Sequence, residues 1–348
     1  MKPLPKADLE LVFQSTQDLW EEFRNRHILI TGATGFFGMW LLESFTYACD
    51  RLNLGMHIHA LTRDSKSFAA KAPHLLSHPS IYLEEGDVRS FSFPVGEFTH
   101  VIHAAGQTRA TKEQEQKQYE VFARGARHVL EFGRQCGAAK LLLISSGAVY
   151  GPQPSACALM PEDESAVQKP LAAYSAYAEG KREAERLWQE NPGSQQRTIA
   201  RSFALVGPHL PLDAQYAIGN FIRDGLAGRT LQIQGDGTPY RSYLYAADLV
   251  IWLLHILCRG QPCRAYNVGS EQAISIHDTA RAVASAFSPL PEIEVLGAPK
   301  QDVPPERYVP STHRARTELQ LREHFSLAES IRSTISWYDD CHGESVEP

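Results

Sequence analysis

Ile28-Leu-Ile-Thr-Gly-Ala-Thr-Gly-Phe-Phe-Gly38 is a short apolar run that breaks into three evenly spaced glycines. Ile28 to Ile30, rich in β-branched residues and bounded by Thr31-Gly32, reads as a buried parallel strand. Gly32, Gly35 and Gly38 follow as G-x-x-G-x-x-G. In that spacing the first glycine permits a tight turn and the second lets a backbone approach a pyrophosphate. The third lets the next helix pack closely on the strand. A helix from Phe36 to Thr46 then offers its free N–H groups and positive dipole end to the phosphates. Thr34, Phe36 and Phe37 lie in the same turn and join the glycines as candidate cofactor contacts.

From residue 27 onward, apolar strands alternate with amphipathic helices, the pattern of a parallel, doubly wound α/β sheet. Strands are expected near 27–31, 56–62, 80–84, 99–104, 139–145 and 197–203, and helices near 36–49, 112–136 and 172–190. Such a sheet binds its ligand beyond the carboxyl ends of its strands, where the strand order reverses. The glycine turn, His103-Ala-Ala-Gly106 and Ser145-Ser146 all fall at those ends, so one cleft collects them. After Gly207-Pro208 the pattern becomes irregular, with helices expected near 218–227, 247–258 and 326–338 and a proline-rich loop from Pro289 to Pro305. The expected organisation is an N-terminal helical extension (1–24), a dinucleotide-binding domain (25–203, with returning segments near 240–270) and a smaller interleaved substrate lobe (204–239 and 271–340). In the extension, Leu9, Val12, Phe13, Thr16, Leu19 and Phe23 share one face of an amphipathic helix over Ala7 to Phe23. That face is expected to pack on the body or on a neighbouring subunit.

A second constellation lies downstream, in Ser145-Ser-Gly-Ala-Val-Tyr-Gly151 and Tyr177-Ala-Glu-Gly-Lys181. Tyr177 and Lys181 are four apart and share a helix face. An ammonium beside a phenol favours phenolate, which lets the tyrosine exchange protons closer to neutral pH. A serine hydroxyl can hydrogen-bond the same oxygen that gains or loses the proton during hydride transfer.

With these motifs together the chain resembles the extended short-chain dehydrogenases/reductases, and among them the sugar-nucleotide epimerase/dehydratase group. The resemblance runs from about Arg26 to Leu321. It rests on the glycine turn, Gly86-Asp-Val88, His103-Ala-Ala-Gly106, the Ser145 and Tyr177 motifs, Gly207-Pro208 and Arg241-Ser-Tyr-Leu-Tyr-Ala-Ala-Asp248. It implies a Rossmann-type sheet with Ser146, Tyr177 and Lys181 as the catalytic set, Lys181 also holding the nicotinamide ribose. Asp87 and Val88 are implied at the adenine, and His103, Ala104 and Ala105 along the cofactor. Asn220, Arg241 and Arg307 are implied at the substrate diphosphate, with Ser146 at the sugar. The partners implied are a nucleotide-linked sugar and a second copy of the chain, as a homodimer.

The choice of dinucleotide turns on the second strand, His57-Ile-His-Ala-Leu-Thr-Arg-Asp64. NAD-binding sheets usually end this strand in a carboxylate that takes the ribose 2′-OH. Thr62 stands there and Arg63 follows, and a guanidinium can pair with a 2′-phosphate. The sequence therefore leans towards NADP over NAD. Arg63 stacked on adenine, or Asp64 swung onto the ribose, is the competing reading.

The reaction is less specific. The resemblance implies an NAD(P)-dependent oxidoreductase or isomerase. The 4,6-dehydratases carry Asp-Glu after the serine or threonine, where this chain has Gly147-Ala148, and the UDP-glucuronate decarboxylases carry Glu at the position of Ala148. A small pair that leaves room for a sugar ring to turn over suits a 4-epimerase, and suits a 4-keto reductase equally. A dehydratase or decarboxylase with another base, and a cofactor-sensing relative without chemistry, are the alternatives. Ala204 and Phe122 replace asparagines usual in the family, and Phe122 reads as structural drift.

The 348 residues carry 43% hydrophobic and 21% charged side chains, an ordinary globular balance that argues against disorder. A net charge of −6 and the lack of a basic run make nucleic acid an unexpected partner. No apolar stretch reaches the roughly 18 residues a membrane helix needs. The six cysteines have no metal-ligand spacing, so no metal is expected, and reduced thiols in the cytoplasm are the default.

Overall fold

A computed structural model describes residues 2–106, 111–163, 175–190, 192–214, 216–298 and 303–343. The strands are β1 (His27–Thr31), β2 (His57–Thr62), β3 (Ile81–Glu85), β4 (Phe98–His103), β5 (Lys140–Ser146), β6 (Gln196–Ser202), β7 (Leu205–Val206), β8 (Leu231–Ile233), β9 (Tyr240–Arg241), β10 (Leu244–Tyr245), β11 (Arg264–Val268), β12 (Ile274–Ser275), β13 (Ile293–Val295) and β14 (Arg307–Tyr308). The helices are α1 (Lys6–Ser15), α2 (Phe36–Leu52), α3 (Ser65–Lys71), α4 (Pro73–Leu76), α5 (Glu115–Gln135), α6 (Ala176–Gln189), α7 (Ala217–Leu226), α8 (Ala246–Arg259), α9 (Ile276–Ala284), α10 (His313–Leu319) and α11 (Leu327–Gly343).

Seven parallel strands form the central sheet in the order β11-β6-β5-β4-β1-β2-β3. The order reverses between β1 and β4, so the cleft opens at their carboxyl ends, as a doubly wound sheet requires. Ile28, Ile30 and Ile58 point to the face covered by α2 and α8, while Leu29, Val101 and Leu141 point to the face covered by α5 and α6. Both faces are dry, which is why the strands read as nearly continuous apolar runs. The small β9, β12 and β14 form a separate three-stranded sheet, with β14 parallel and β12 antiparallel to β9.

The expected strands and helices appear within a few residues. The helix expected over 172–190 is described from Ala176, and its first positions lie outside the described residues, as does the chain end from 344. The N-terminal segment is corrected. It is not one helix but α1 followed by a 3₁₀ turn over Trp20–Phe23. The Thr16 hydroxyl donates to the Val12 carbonyl at 2.6 Å, a local bond that competes with helix continuation. The Trp20 indole donates to the Phe13 carbonyl at 3.0 Å and folds the turn back onto α1. Val12, Leu19, Trp20 and Phe23 are buried, and α1 packs on α2 and α8.

Candidate active site

The glycine turn joins β1 to α2. Gly32 has φ +70°, and a Cβ there would lie 2.7 Å from the Ala104 carbonyl, so only glycine fits between the first and fourth strands. A Cβ on Gly38 would lie 2.3 Å from the Ala33 carbonyl, which ties the start of α2 tightly to the turn. Gly35 differs. An added Cβ would meet only the Gly32 oxygen, at 3.4 Å, so the protein's own packing does not demand glycine. Gly35 caps α2 without any side-chain hydrogen bond to its first N–H groups. A bare backbone cradle at a helix N-terminus suits a pyrophosphate, and the residues present fit a dinucleotide. Phe36 and Phe37 flank the cradle edge to face, half-buried, and the Thr34 carbonyl accepts from the Lys71 ammonium at 2.8 Å.

Asp87, expected at the adenine, is gripped by Arg89, whose Nε and Nη2 each donate to a carboxylate oxygen at 2.8 Å. This fork holds the Asp87 carboxyl down at about 2, with the Arg63 charge contributing. Arg63 is exposed at the end of β2. Asp64 is already used, since it caps α3 by accepting from the Ser67 N–H at 2.8 Å. Val88 is buried and packs against Gly125 of α5, where an added Cβ would lie 3.0 Å from it.

At the reacting end, Ser146 terminates β5 and accepts from the Ala148 N–H at 3.2 Å. The Tyr177 phenol, on the first turn of α6, is hydrogen-bonded to Ser146. Lys181, one turn on, is buried and donates to the Ile144 carbonyl at 2.7 Å. Its ammonium lies 4.6 Å from the Phe122 ring centroid and 6.0 Å from that of Tyr177. Burial lowers Lys181 to about 8. Burial pushes the Tyr177 phenol up, against the hydrogen bond from Ser146 and with help from the neighbouring Tyr308 and Tyr216 phenols, so the lowering expected from Lys181 is not what sets it. Phe122, read as drift, is a wall of the site: it packs edge to face on Tyr177 at 5.3 Å and beneath the ammonium. His103 bonds Thr31 Oγ1 through Nδ1 at 2.7 Å, and burial with the Lys181 charge lowers it to about 3. Its neutral, buried side chain ties β4 to β1, and Ala104 and Ala105 lie at the half-buried strand end beyond it.

A buried polar bracket holds α6 against the sheet. Ser145 donates to Glu185 at 2.5 Å, and Arg201 grips the same carboxylate through Nη2 at 2.7 Å. Arg201 also donates to the Tyr150 hydroxyl, which donates in turn to Asn267, both at 2.8 Å. Each side chain of this bracket has a hydrogen-bond partner, which is what makes it affordable in a dry interior. It fixes the angle at which α6 presents Tyr177.

Beside Ser146 stand two residues that the sequence reading missed, Tyr308 and Phe203. The Tyr308 hydroxyl stands 3.4 Å from the Ser146 hydroxyl, and its ring packs on Phe203 in a tilted arrangement with centroids 4.5 Å apart. Burial pushes the Tyr308 phenol up to about 12, so it stays protonated. Phe203 also corrects the expectation of open space at Gly147: a Cβ on Gly147 would lie 2.5 Å from the Phe203 ring. The small residue admits an aromatic wall there. Arg241 pairs with Tyr308 across β9 and β14, so it shares the face turned to Ser146, whereas Arg307 pairs with Tyr240 and lies over that ring at 4.7 Å. The structure thus sets the two arginines on opposite faces. Asn220, with its amide turned so that the nitrogen donates, bonds the Leu212 and Ala214 carbonyls at 3.0 Å each and braces that loop.

A doubly wound sheet with a bare glycine cradle and a Ser–Tyr–Lys end defines an extended short-chain dehydrogenase/reductase. The family model "NAD dependent epimerase/dehydratase family" matches residues 28–269, and the chain belongs to that family of enzymes. UDP-glucuronic acid decarboxylase 6 of Arabidopsis thaliana is 27% identical over 316 residues, which is 88% of this chain and 87% of that protein. Among solved structures, the epimerase Mth375 of Methanothermobacter thermautotrophicus superposes with a TM-score of 0.75 at 20% identity, covering 95% of this chain and 97% of its own. MoeE5 in complex with UDP-glucose and NAD superposes at 0.73 and 24% identity, covering 91% and 99%. These likenesses establish the fold. No helix among the described residues is long and apolar enough to cross a membrane.

Proposed function

We propose that the protein acts on a nucleotide-linked sugar as a 4-epimerase or 4-keto reductase, with NADP favoured over NAD. The dinucleotide would supply or accept a hydride. Tyr177 would move the proton of the C4 oxygen, and Ser146 would hold that oxygen in line. Lys181, charged below about pH 8, would grip the nicotinamide ribose.

The observation that carries the reading is the lack of a proton-moving side chain at the two positions directly after Ser146. Gly147 and Ala148 follow it directly, and Phe203 closes the space beside Gly147. Elimination of water across C5 and C6 needs an acid and a base, and neither Gly147 nor Ala148 can supply one. Arg241, on the same face as Tyr308, would take the diphosphate. The lean to NADP rests on Thr62 and exposed Arg63 at the end of β2, in place of a carboxylate.

The A. thaliana relative is a UDP-glucuronic acid decarboxylase, which supports a second reading: oxidation at C4 of a uronate makes a β-keto acid that can lose CO₂. Incubation with a panel of nucleotide sugars, UDP-glucuronate included, in deuterated water distinguishes the readings. A C4 epimer or C4 alcohol with no deuterium at C5 is the expected product. A 6-deoxy-4-keto product carrying deuterium at C5 would overturn the proposal, and a pentose with release of CO₂ would replace it with decarboxylation.

A further inference from the structure

Just after β7 the chain turns sharply at Gly207-Pro208-His209-Leu210, where the Leu210 N–H donates to the Gly207 carbonyl at 3.2 Å. Proline in second place and a positive φ in third is the pattern of a type II turn, whose third position favours glycine. His209 occupies it, at φ +66°. A non-glycine residue persists in the left-handed region only where its surroundings hold it there, and such residues gather at functional sites.

His209 is buried, with its Nε2 3.2 Å from Glu43 Oε1 and its ring edge to face on Trp337 at 4.6 Å. Glu43 belongs to α2, the helix that starts at the glycine cradle. Trp40, three residues earlier on α2, donates its indole N–H to the Pro208 carbonyl at 2.8 Å. The other Glu43 oxygen accepts from the Leu4 N–H at 2.6 Å, and His74 Nε2 of α4 lies 3.4 Å from Oε1. Burial opposes the charge on Glu43, yet His209, His74 and the Leu4 N–H together keep its carboxyl below the ordinary value.

Residues 2–4 close this clasp from outside. The Pro3 carbonyl accepts from the Trp337 indole at 2.9 Å, and Lys2 pairs with Asp340 at 2.6 Å. Tyr338, next to Trp337 on α11, donates its hydroxyl to the Leu210 carbonyl at 2.5 Å. Beyond Leu210 the same loop is seated on α7. Asn220 bonds the Leu212 and Ala214 carbonyls, and a Cβ on Gly219 would lie 3.2 Å from the Pro211 carbonyl. Direct contacts therefore run from residues 2–4 through Glu43 and His209 to α7.

We propose that Glu43 is a positioning residue: with His209 and the strap of residues 2–4 it locks the 207–214 loop onto α2 and so fixes Asn220 for the substrate's diphosphate. The role of Asn220 rests on the nucleotide-sugar reading, whereas the lock itself does not.

Hydrogen exchange of the full-length protein, native against Glu43→Gln and His209→Asn, tests the lock. Asparagine tolerates the left-handed backbone but is too short to reach Glu43, and it covers the case in which Glu43→Gln fails to fold. In each variant the amides of 207–214 should exchange at least about tenfold faster, with those of β1, β4 and β5 unchanged. The double variant should exchange no faster than either single one, because both changes break one link, whereas two merely structural losses would add. Calorimetric titration should show UDP binding weakened about three- to tenfold in each variant and dinucleotide affinity native. Unchanged loop exchange, additive effects in the double variant, or native UDP affinity with a loosened loop would overturn the proposal. A native protein that binds no UDP, with the loop loosened in both variants, would instead overturn the nucleotide-sugar reading and the role given to Asn220, and would support the lock.

Discussion

The hydroxyls of Ser146 and Tyr308 lie 3.4 Å apart, joining the end of β5 to a two-residue strand 162 positions later. The reacting end therefore has two phenols around one serine. Tyr177 comes from α6 and Tyr308 from the small sheet, and burial holds both above their ordinary value. They differ in surroundings: Tyr177 has an ammonium one turn away, and Tyr308 has Phe203 and the Arg241 charge.

That difference makes the first prediction. Tyr177→Phe should lower kcat by roughly 10²–10⁴-fold, the worth of a general acid/base, while dinucleotide affinity stays nearly native. Steady-state rates with calorimetric cofactor titration measure both quantities. Full activity in the variant would remove Tyr177 from the proton path.

Tyr308→Phe keeps the ring contact with Phe203 and removes one hydroxyl. A neutral hydrogen bond of this kind is worth about 0.5–1.5 kcal/mol, so kcat should fall only roughly two- to tenfold. A loss as large as that of Tyr177→Phe would show that Tyr308 carries the proton, with the roles of the two phenols exchanged.

Arg63→Ala should weaken NADP by about 1–3 kcal/mol, the scale of a lost charge-assisted hydrogen bond, and leave NAD nearly unchanged. Titration of each cofactor into native and variant protein checks this. Equal losses for the two would mean that Arg63 stacks on adenine and does not read the 2′-phosphate.

Asp8 on α1 provides a pH test of how the N-terminal segment is held. It is buried and accepts from the Tyr245 hydroxyl at 2.6 Å. Burial raises its carboxyl to about 6 from 3.8, against the Tyr245 bond and with help from the Asp248 charge. Because the folded state holds this proton more tightly, the stability it contributes is full below about pH 4 and lost as pH rises through 6. Asp8→Asn cannot ionise, so at pH 7.5 the variant should be more stable than the native protein by about 1–3 kcal/mol, and the gap should close near pH 4. Urea unfolding at both pH values measures it. A gap of the same size at pH 4 would show that Asp8 carries no penalty from its charge.

Much of this protein could be read from one dimension. The glycine spacing, the strand-and-helix alternation and the Tyr177–Lys181 interval depend on local geometry: the period of a strand, the turn of a helix, the φ that only glycine tolerates at Gly32. Local rules act within a few residues, and sequence displays them directly. The break after α1 was in reach too, since a threonine at position 16 can bond back to Val12, but an unbroken apolar face concealed it.

What only the tertiary structure decided is how distant segments share one small volume. Phe122 looked like drift because nothing nearby in sequence marks it as the floor under Lys181. Tyr308 reaches Ser146 through the pairing of two strands of two residues each, too short for any pattern to announce. Arg241 and Arg307 looked alike until alternation along those strands set them on opposite faces. Gly147 looked like room for a sugar until Phe203 was found beside it. The pKa values follow the same division. The spacing of Tyr177 and Lys181 suggested a lowered phenol, but depth of burial, a property of the whole packed chain, dominates both groups. Sequence determines which side chains can take part, because it fixes their chemistry and local direction; packing determines which of them meet and how far water is excluded where they do.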